Sequence, residues 1–301
     1  MNKNKFSIGC DIGGSHISCG IVDVASGSIV ENSLVSVKVD NSSRSELIIN
    51  AWTQAIALCK EQLPEEGEFL GIGIAIPGPF DYKNGIGLYD NSNQKFEYLK
   101  DVNLRNALSK SLELESAKIK FINDATAFAL GSYWYGSGKG HKKLVSITLG
   151  TGFGSSFIDG GKAIDEGTSV PDGGCLWHLS YKDGIADDYF STRWFVEKYN
   201  DLYNLKVDGV KTIAELAGEG DSDALELFKL FGDNLADCLG PHLNNFEADV
   251  VILGGNIAEA YPLFNPSLLK GLQNRKVKSD IKVSKLKESA AMLGAATLFK
   301  D

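Results

Sequence analysis

The sequence predicts an α/β protein of two lobes, each built from strands, glycine-rich turns and helices. Short apolar runs alternate with segments of helical periodicity along the chain. The length of 301 residues is enough for two ordinary domains. A pattern of strand, glycine-rich turn, strand and acidic turn occurs twice: Asp23 follows Gly14 by nine residues, and Asp159 follows Gly150 by nine. The repetition indicates duplicated lobes with a ligand cleft between them.

Composition limits the classes of function. The formal net charge of −9 argues against a surface that binds nucleic acid. The number of cysteines, five, is odd, and no two of them form a Cys-x-x-Cys pair, which favours a reducing compartment. Their spacing also does not resemble that of a zinc site. The polar start of the chain and the early Asp11 predict neither a signal peptide nor a membrane span. We therefore expect a cytoplasmic protein that binds neither nucleic acid nor membrane.

The first part of the chain gives strands around one helix. Strands are predicted at residues 6–12, 17–24, 29–39 and 70–76. A helix is predicted from about 41 to 63, before Pro64, because apolar residues recur every four positions at Leu47, Ala51, Ala55, Cys59 and Leu63. The continuous apolar run 70–76 is typical of a buried strand, and Pro77, Gly78 and Pro79 end it.

The second part follows the same alternation. Strands are predicted at 118–122, 144–149, 155–158 and 250–253, and helices at 125–135, 221–246 and 289–299. The helix at 221–246 is the clearest, since its apolar residues fall on one face. The predicted N-terminal lobe is 1–120, with the C-terminal helix 289–301 packing back on it. The predicted C-terminal lobe is 121–288.

Two glycine-rich turns are candidates for binding phosphate. The first turn runs from Asp11 to His16 and the second from Gly150 to Gly154. Turns without Cβ atoms let backbone N–H groups approach a phosphate, and Ser15 adds a hydroxyl donor. The carboxylate of Asp11 at a strand end suits Mg²⁺, directly or through water. Neither turn matches the P-loop pattern. Each turn by itself also fits a plain hairpin, and that alternative stays open.

Two further segments follow strands. Asn123 and Asp124 stand between a strand and a helix, where a carboxylate can take a proton from a substrate hydroxyl, as in phosphoryl transfer. Helix capping explains the same residues equally well. Gly254, Gly255 and Asn256 follow the strand 250–253, and their glycines leave room for a flat base against the backbone.

The ordered set of motifs resembles the ROK family of sugar kinases, of the actin, hexokinase and Hsp70 superfamily. The resemblance spans nearly the whole chain and rests on six segments: 11–16, 71–79, 121–127, 149–154, 251–256 and 290–296. It implies a two-lobed actin-like ATPase (ribonuclease H-like) fold with a central interdomain cleft. It also implies transfer of a phosphoryl group from ATP, with Mg²⁺, to a hexose or amino-sugar hydroxyl, in a protein that is commonly a homodimer.

The resemblance also implies residue roles. Asp124 is expected to be the catalytic base, and Asp11 to place Mg²⁺. The residues expected to bind the phosphates and adenosine of ATP are Asp11, Gly13, Gly14, Ser15, His16, Gly150, Thr151, Gly152, Gly154, Gly254, Gly255 and Asn256. Those expected to bind the sugar are Gly78, Asn91, Asn93, Asn123, Asp124, His178 and Asp187.

Departures from the family pattern concern the sugar. Most members have Glu-x-Gly-His, with Glu and His bonded to the sugar, whereas Cys175 stands here in the place of Glu and His178 is kept. The segment 180–189 lacks the family's cysteine cluster, so no zinc is expected, and Asp187 falls where a second sugar-binding Glu stands. Losing a hydrogen bond to a charged group costs about 1.5–3 kcal/mol. The sugar is therefore changed or bound more weakly, or another residue takes over. His178 also fits a plain loop histidine.

Two other functions stay open from the sequence. Because Cys175 replaces Glu, the protein could be a sugar- or nucleotide-sensing regulator with little catalysis. Only seven residues precede Ile8, so the DNA-binding segment of ROK repressors is not expected. The same superfamily fold could also phosphorylate an acceptor other than a sugar.

Overall fold

A computed structural model of the chain describes residues 3–90, 96–203 and 207–300. The chain divides into two compact units. The first is Met1–Tyr135 together with Glu288–Asp301, and the second is Gly136–Lys287. Our sequence analysis placed this boundary at residue 120. It lies later because the strand and helix that follow residue 118 pair and pack with the first unit.

The first unit begins with strands and one long helix. Its elements in chain order are β1 (Lys5–Ile12), β2 (His16–Asp23), β3 (Val35–Lys38), α1 (Ser45–Lys60), β4 (Glu68–Ile76), β5 (Phe80–Asp81), β6 (Ile86–Gly87), α2 (Leu104–Leu112), β7 (Ile119–Asn123) and α3 (Asp124–Tyr135). The sheet is five-stranded, in the order β3-β2-β1-β4-β7. β1, β4 and β7 run parallel, so their carboxyl ends share one edge.

The second unit repeats this plan and adds helices. Its elements are β8 (Lys143–Leu149), β9 (Phe153–Asp159), β10 (Lys162–Ile164), β11 (Ser180–Tyr181), β12 (Gly184–Ile185), α4 (Ala186–Tyr189), α5 (Thr192–Tyr203), α6 (Val210–Gly218), α7 (Ser222–Phe246), β13 (Val250–Gly254), α8 (Tyr261–Asn274) and β14 (Asp280–Val283). The last helix, α9 (Ser289–Ala296), returns to the first unit.

The two large sheets have the same topology. The second is also five-stranded, in the order β10-β9-β8-β13-β14, and β8, β13 and β14 are parallel. In both sheets the first strand of the unit forms an antiparallel hairpin with the second, and the glycine-rich turn joins them. The duplication predicted from the sequence is therefore confirmed at the level of strand order.

Helix α9 lies directly on the strands of the first unit. A Cβ atom at Gly9 of β1 would collide with the carbonyl of Met292, and one at Gly73 of β4 would collide with the carbonyl of Ala295. Because glycine has no side chain, the helix backbone rests on the sheet without a layer of side chains between them.

Helix α3 meets α9 in the same way. Gly294 has the carbonyl of Ala127 where its Cβ would stand, and Gly131 has the carbonyl of Ala290. Four glycines on two strands and two helices therefore fix one tightly packed layer in the first unit. All four lie within elements predicted from the sequence, but nothing in the sequence showed that they would meet.

One predicted strand is shorter than expected. The strand predicted at 29–39 was wrong for residues 30–34, because the chain turns where Asn32 adopts a φ of 61°, and Ile29 forms only an isolated bridge with Val22. Ser33 fixes this turn: its hydroxyl accepts from the N–H of Ile21 at 3.1 Å and donates to the carbonyl of Val30 at 2.7 Å. A polar side chain that bonds the backbone thus replaces the sheet ladder.

The core of the second unit is aromatic. Phe231 of α7 packs against Phe195 of α5 with ring centroids 4.7 Å apart, and against Phe264 of α8 at 5.2 Å. α7 begins where the carboxylate of Asp221 accepts from the N–H of Ala224 at 2.7 Å. Among the described residues, no helix has the length and apolar character needed to cross a membrane.

Replacing Gly73 by alanine tests the contact between α9 and β4. We expect Gly73→Ala to lower the free energy of unfolding by roughly 1–3 kcal/mol, because the new Cβ must displace the Ala295 carbonyl. Urea unfolding measures the change. The control is Gly218→Ala in α6, where a Cβ meets nothing within 4 Å. Equal stability of the two variants would contradict the close contact.

Candidate functional site

Two carboxylates stand at the carboxyl edge of the first sheet. Asp11 lies near the end of β1, and Asp124 follows β7 as the first residue of α3. Asp11 is level with Ala75 of β4, and Ala75 is level with Ile122 of β7, so the register brings both acids to one edge. Burial raises the pKa of Asp11 to about 7, and the charges of Asp124 and Glu288 add to this shift. Asp11 therefore interacts electrostatically with both of the other acids.

The carboxylate pair suits a divalent cation. In the described part of the chain no lysine or arginine forms an ion pair with Asp11 or Asp124. Partly buried carboxylates without a compensating cation provide the oxygen ligands that Mg²⁺ binds. No cluster of three or more His, Cys, Asp or Glu side chains placed for a metal occurs among these residues. The two carboxylates are thus the groups of this unit that could supply oxygen ligands to a Mg²⁺ ion.

Asn123 both caps α3 and orients Asp124. Its Oδ1 accepts from the N–H of Thr126 at 3.1 Å. This bond is the helix capping that the sequence offered as an alternative to a catalytic role. Its Nδ2 donates to Asp124 Oδ1 at 3.1 Å and to the hydroxyl of Tyr82 at 3.2 Å. Burial raises the pKa of Asp124, while the bonds from Asn123 and the N–H of Ala125 oppose the rise. Capping and orientation of the acid are therefore combined in one residue.

The first glycine-rich turn, Gly13 to Ser15, is held from outside by the segment after β3. The N–H of Gly13 donates to the carbonyl of His16 at 3.0 Å, and the N–H of Val39 donates to the carbonyl of Ser15 at 2.9 Å. The side chain of Asn41 donates to the carbonyl of Gly13 at 2.7 Å. Ser15 and His16 are exposed, and Gly13 and Gly14 are partly exposed. The turn presents backbone and a hydroxyl to solvent, as an anion site requires.

The second glycine-rich turn, Gly150 to Gly152, is held by α4 and α5. Thr192 donates both its N–H, at 2.8 Å, and its hydroxyl, at 2.9 Å, to the carbonyl of Gly150. Asp187 accepts from the N–H of Phe153 at 2.7 Å, and its other oxygen lies 3.6 Å from the guanidinium of Arg193. Asp187, which the sequence analysis expected at the sugar, thus uses one oxygen to bind the end of the second glycine-rich turn. Its role towards a sugar stays a prediction.

The segment of Gly254, Gly255 and Asn256 stands beside the second turn. Gly254 ends β13 level with Thr148 of β8, so both segments leave the same edge of the sheet. Gly255 has a φ of 80°, and a Cβ there would collide with the backbone of Leu149. Glycine is required at this position for both reasons. Gly255 and Asn256 are exposed and available to a ligand.

Cys175 and His178 form a pair in the second unit. The thiol of Cys175 lies 3.6 Å from Nδ1 of His178, and Ser155 of β9 accepts the N–H of Leu176 at 2.8 Å. Burial raises the pKa of Cys175, so the side chain is a thiol and brings no charge. Of the other expected sugar residues, Gly78 is exposed in the turn after β4. Asn91 and Asn93 lie outside the described residues.

Four residues at these positions were missed by the sequence analysis. Tyr82 and Glu288 act on Asn123 and Asp11, and Thr192 and Arg193 hold the second turn. None of them belongs to a glycine-rich or strand-end pattern, so no local signal indicated them. They reach their places, two in each unit, only through tertiary packing.

Comparisons with known proteins found a matching family model, similar chains and similar solved structures. The sequence model of the ROK family matches residues 7–301. A glucokinase of Thermotoga maritima is 28% identical, covering 100% of this chain and 99% of that protein. An N-acetyl-D-glucosamine kinase of Haemophilus influenzae is 26% identical, covering 97% and 98%. The crystal structure of a ROK family glucokinase from Streptomyces griseus, in complex with glucose and AMPPNP, superposes with a TM-score of 0.75 at 24% identity, covering 97% of this chain and 98% of that one. The last likeness shows the fold, a two-lobed actin-like ATPase fold.

The raised pKa of Asp11 makes stability depend on pH. Folded protein keeps the Asp11 proton up to about pH 7, whereas the unfolded chain releases it near pH 4. Unfolding therefore releases a proton in this window, and stability falls as pH rises. Without nucleotide or divalent cations, we expect the free energy of unfolding of Asp11→Asn to exceed that of wild type by roughly 2–4 kcal/mol at pH 8. Urea unfolding of both proteins at pH 8 and at about pH 4 measures this difference. The difference should shrink towards pH 4, and a constant difference would contradict the pKa shift.

Removing the hydroxyl of Thr192 tests the support of the second turn. Thr192→Val keeps the bond from the backbone N–H to Gly150 and loses the one from the hydroxyl. We expect the dissociation constant for Mg·ATP to rise roughly two- to tenfold, the range of one hydrogen bond. Calorimetric titration measures it. Thr297→Val, which loses a similar bond to Gly294, is the control and should bind as wild type. Wild-type affinity in Thr192→Val would show that the Thr192 hydroxyl does not support the binding of Mg·ATP.

Proposed function

Because the chain belongs to the ROK family, we propose that it transfers the terminal phosphoryl group of ATP to a hydroxyl of a hexose or amino sugar. The observation that carries this proposal is Asp124, a partly buried acid that Asn123 orients at the sheet edge beside Asp11. The relatives named glucokinase and N-acetyl-D-glucosamine kinase support this acceptor class.

Asp124 is the base in this proposal. Its Oδ1 accepts two hydrogen bonds, from Asn123 and from the N–H of Ala125 at 2.9 Å, which fixes the carboxylate plane and leaves Oδ2 for the acceptor. The acceptor hydroxyl gives its proton to Oδ2 as its oxygen bonds the phosphorus and the bond to ADP breaks. Because burial raises the pKa of Asp124, the acid holds a proton better than an exposed aspartate.

The remaining residues bind and orient. Asp11 would hold Mg²⁺, and the ion would supply positive charge that neutralises the phosphates. The two glycine-rich turns bind phosphate through backbone N–H groups, with the hydroxyls of Ser15 and Thr151. Gly254, Gly255 and Asn256 take the adenosine. Gly78, Asn123 and His178 contact the sugar, together with Asn91, Asn93 and Asp187.

Cys175 favours one second candidate, a sugar- or nucleotide-sensing protein with little catalysis. An uncharged thiol beside His178 cannot accept hydrogen bonds as a carboxylate does. Binding without turnover follows if this loss leaves the sugar poorly oriented. The substitution described next separates the two candidates.

Asp124→Asn tests the proposed reaction. The amide keeps the size of the side chain and removes the base, so we expect turnover to fall by roughly 10²–10⁴ while ATP still binds. ADP formation with a panel of hexoses and amino sugars measures turnover, and calorimetry measures binding.

The matched control is Asp101→Asn. Asp101 is exposed and has a φ of 59°, a conformation that asparagine also adopts, so this variant should turn over as wild type. Wild-type turnover in Asp124→Asn would reject Asp124 as the base. A folded wild-type protein that binds ATP but phosphorylates none of the sugars would favour the sensing protein.

A further inference from the structure

Asn41 is a buried polar residue at the predicted start of the first helix, which in the structure begins only at Ser45. It follows β3 and is 2% exposed. Its Nδ2 donates to the carbonyl of Gly13 at 2.7 Å, so the amide lies against the first glycine-rich turn. The bond fixes the orientation of the amide, since the reverse orientation would set two oxygen acceptors against each other.

The backbone of Asn41 holds a second segment of the same unit. Its carbonyl accepts from the N–H of Phe96 at 2.8 Å. Phe96 has a φ of 71° and stacks on Tyr89, with ring centroids 5.2 Å apart and planes at 28°. The hydroxyl of Tyr89 donates to the carbonyl of Pro77 at 2.8 Å. A continuous set of contacts thus runs from Gly13 through Asn41 to the turn that contains Gly78.

The amide of Asn41 is only half satisfied. Its Oδ1 is buried and has no hydrogen-bond partner within the described parts of the chain. A buried acceptor without a partner costs free energy, and leucine, which has nearly the same size, would avoid this cost but would lose the bond to the Gly13 carbonyl. Filling the buried space therefore does not by itself call for an amide. The amide is explained by the one bond it does make, to the phosphate turn.

We propose that Asn41 is a positioning residue that fixes the first phosphate turn relative to the turn at 77–79. The bond from Nδ2 sets the position of the Gly13 carbonyl and hence the direction of the N–H groups in the turn. The bond to Phe96 ties the same residue to the acceptor turn through Tyr89. This inference rests on the proposed function, and it assigns Asn41 to the binding of nucleotide rather than to the chemical step.

Asn41→Leu separates positioning from stability. We expect the midpoint of thermal unfolding to stay close to the wild-type value, because removal of the unpaired Oδ1 offsets the loss of the bond to Gly13. We expect the dissociation constant for Mg·ATP, measured by calorimetry without sugar, to rise roughly three- to tenfold, since one hydrogen bond is lost. In turnover assays the same factor should appear in KM for ATP, with kcat changed less.

Asn245→Leu is the matched control. Asn245 donates through Nδ2 to the carbonyl of Thr168 at 2.8 Å, the same kind of bond, at the end of α7. It should bind ATP as wild type does. Asn41→Ser repeats the test if leucine prevents folding, because its hydroxyl is too short to replace the amide and should raise the dissociation constant by a similar factor.

Three results would overturn the inference. The first is wild-type affinity for ATP in folded Asn41→Leu or Asn41→Ser. The second is a lower unfolding midpoint with unchanged affinity, which would make Asn41 a purely structural residue. The third is a wild-type protein that binds no nucleotide, which removes the proposed function as well. If wild type binds ATP but phosphorylates no sugar, the proposed function fails alone, and the ATP affinities still decide the role of Asn41.

Discussion

The contact of α9 with β1 and β4 determines the geometry of the first unit. The carbonyls of Met292 and Ala295 occupy the places where Gly9 and Gly73 would carry side chains. Because this packing leaves no adjustable layer, it fixes the height of α9 above the sheet. Glu288 immediately precedes the helix, so the same contact brings its charge to Asp11. A segment from the end of the chain thereby becomes part of the site formed by its beginning.

The position of Asp11 and Asp124 at one edge of the sheet changes the pKa of the first and fixes the orientation of the second. Asp11 and Asp124 come from different strands, and the parallel register brings them together. Burial and mutual repulsion raise the pKa of Asp11, while hydrogen bonds from Asn123 hold Asp124 in one orientation. This arrangement lowers the free energy of unfolding, and a bound divalent cation would offset the repulsion.

The two glycine-rich turns share a topology but differ in their supports. The first is held by a buried amide and a backbone bond from the segment after β3. The second is held by Thr192 at the start of α5 and by Asp187 in α4. The strand–turn–strand units thus repeat, whereas the residues that hold each turn differ between the two units. For this reason a repeated sequence motif identifies the two turns but not the residues that hold them.

The sequence by itself determined the strands, the main helices, both turns and the strand-end acid Asp124, because each depends on local periodicity or on glycine spacing. The third strand was predicted too long, because the hydroxyl of Ser33 can bond the backbone only once β2 is in place. Tertiary structure alone decided the meeting of four glycines, the late unit boundary and the roles of Tyr82, Thr192 and Asn41. Their partners lie far along the chain, and hydrogen bonds between distant segments leave no periodic signal in the sequence.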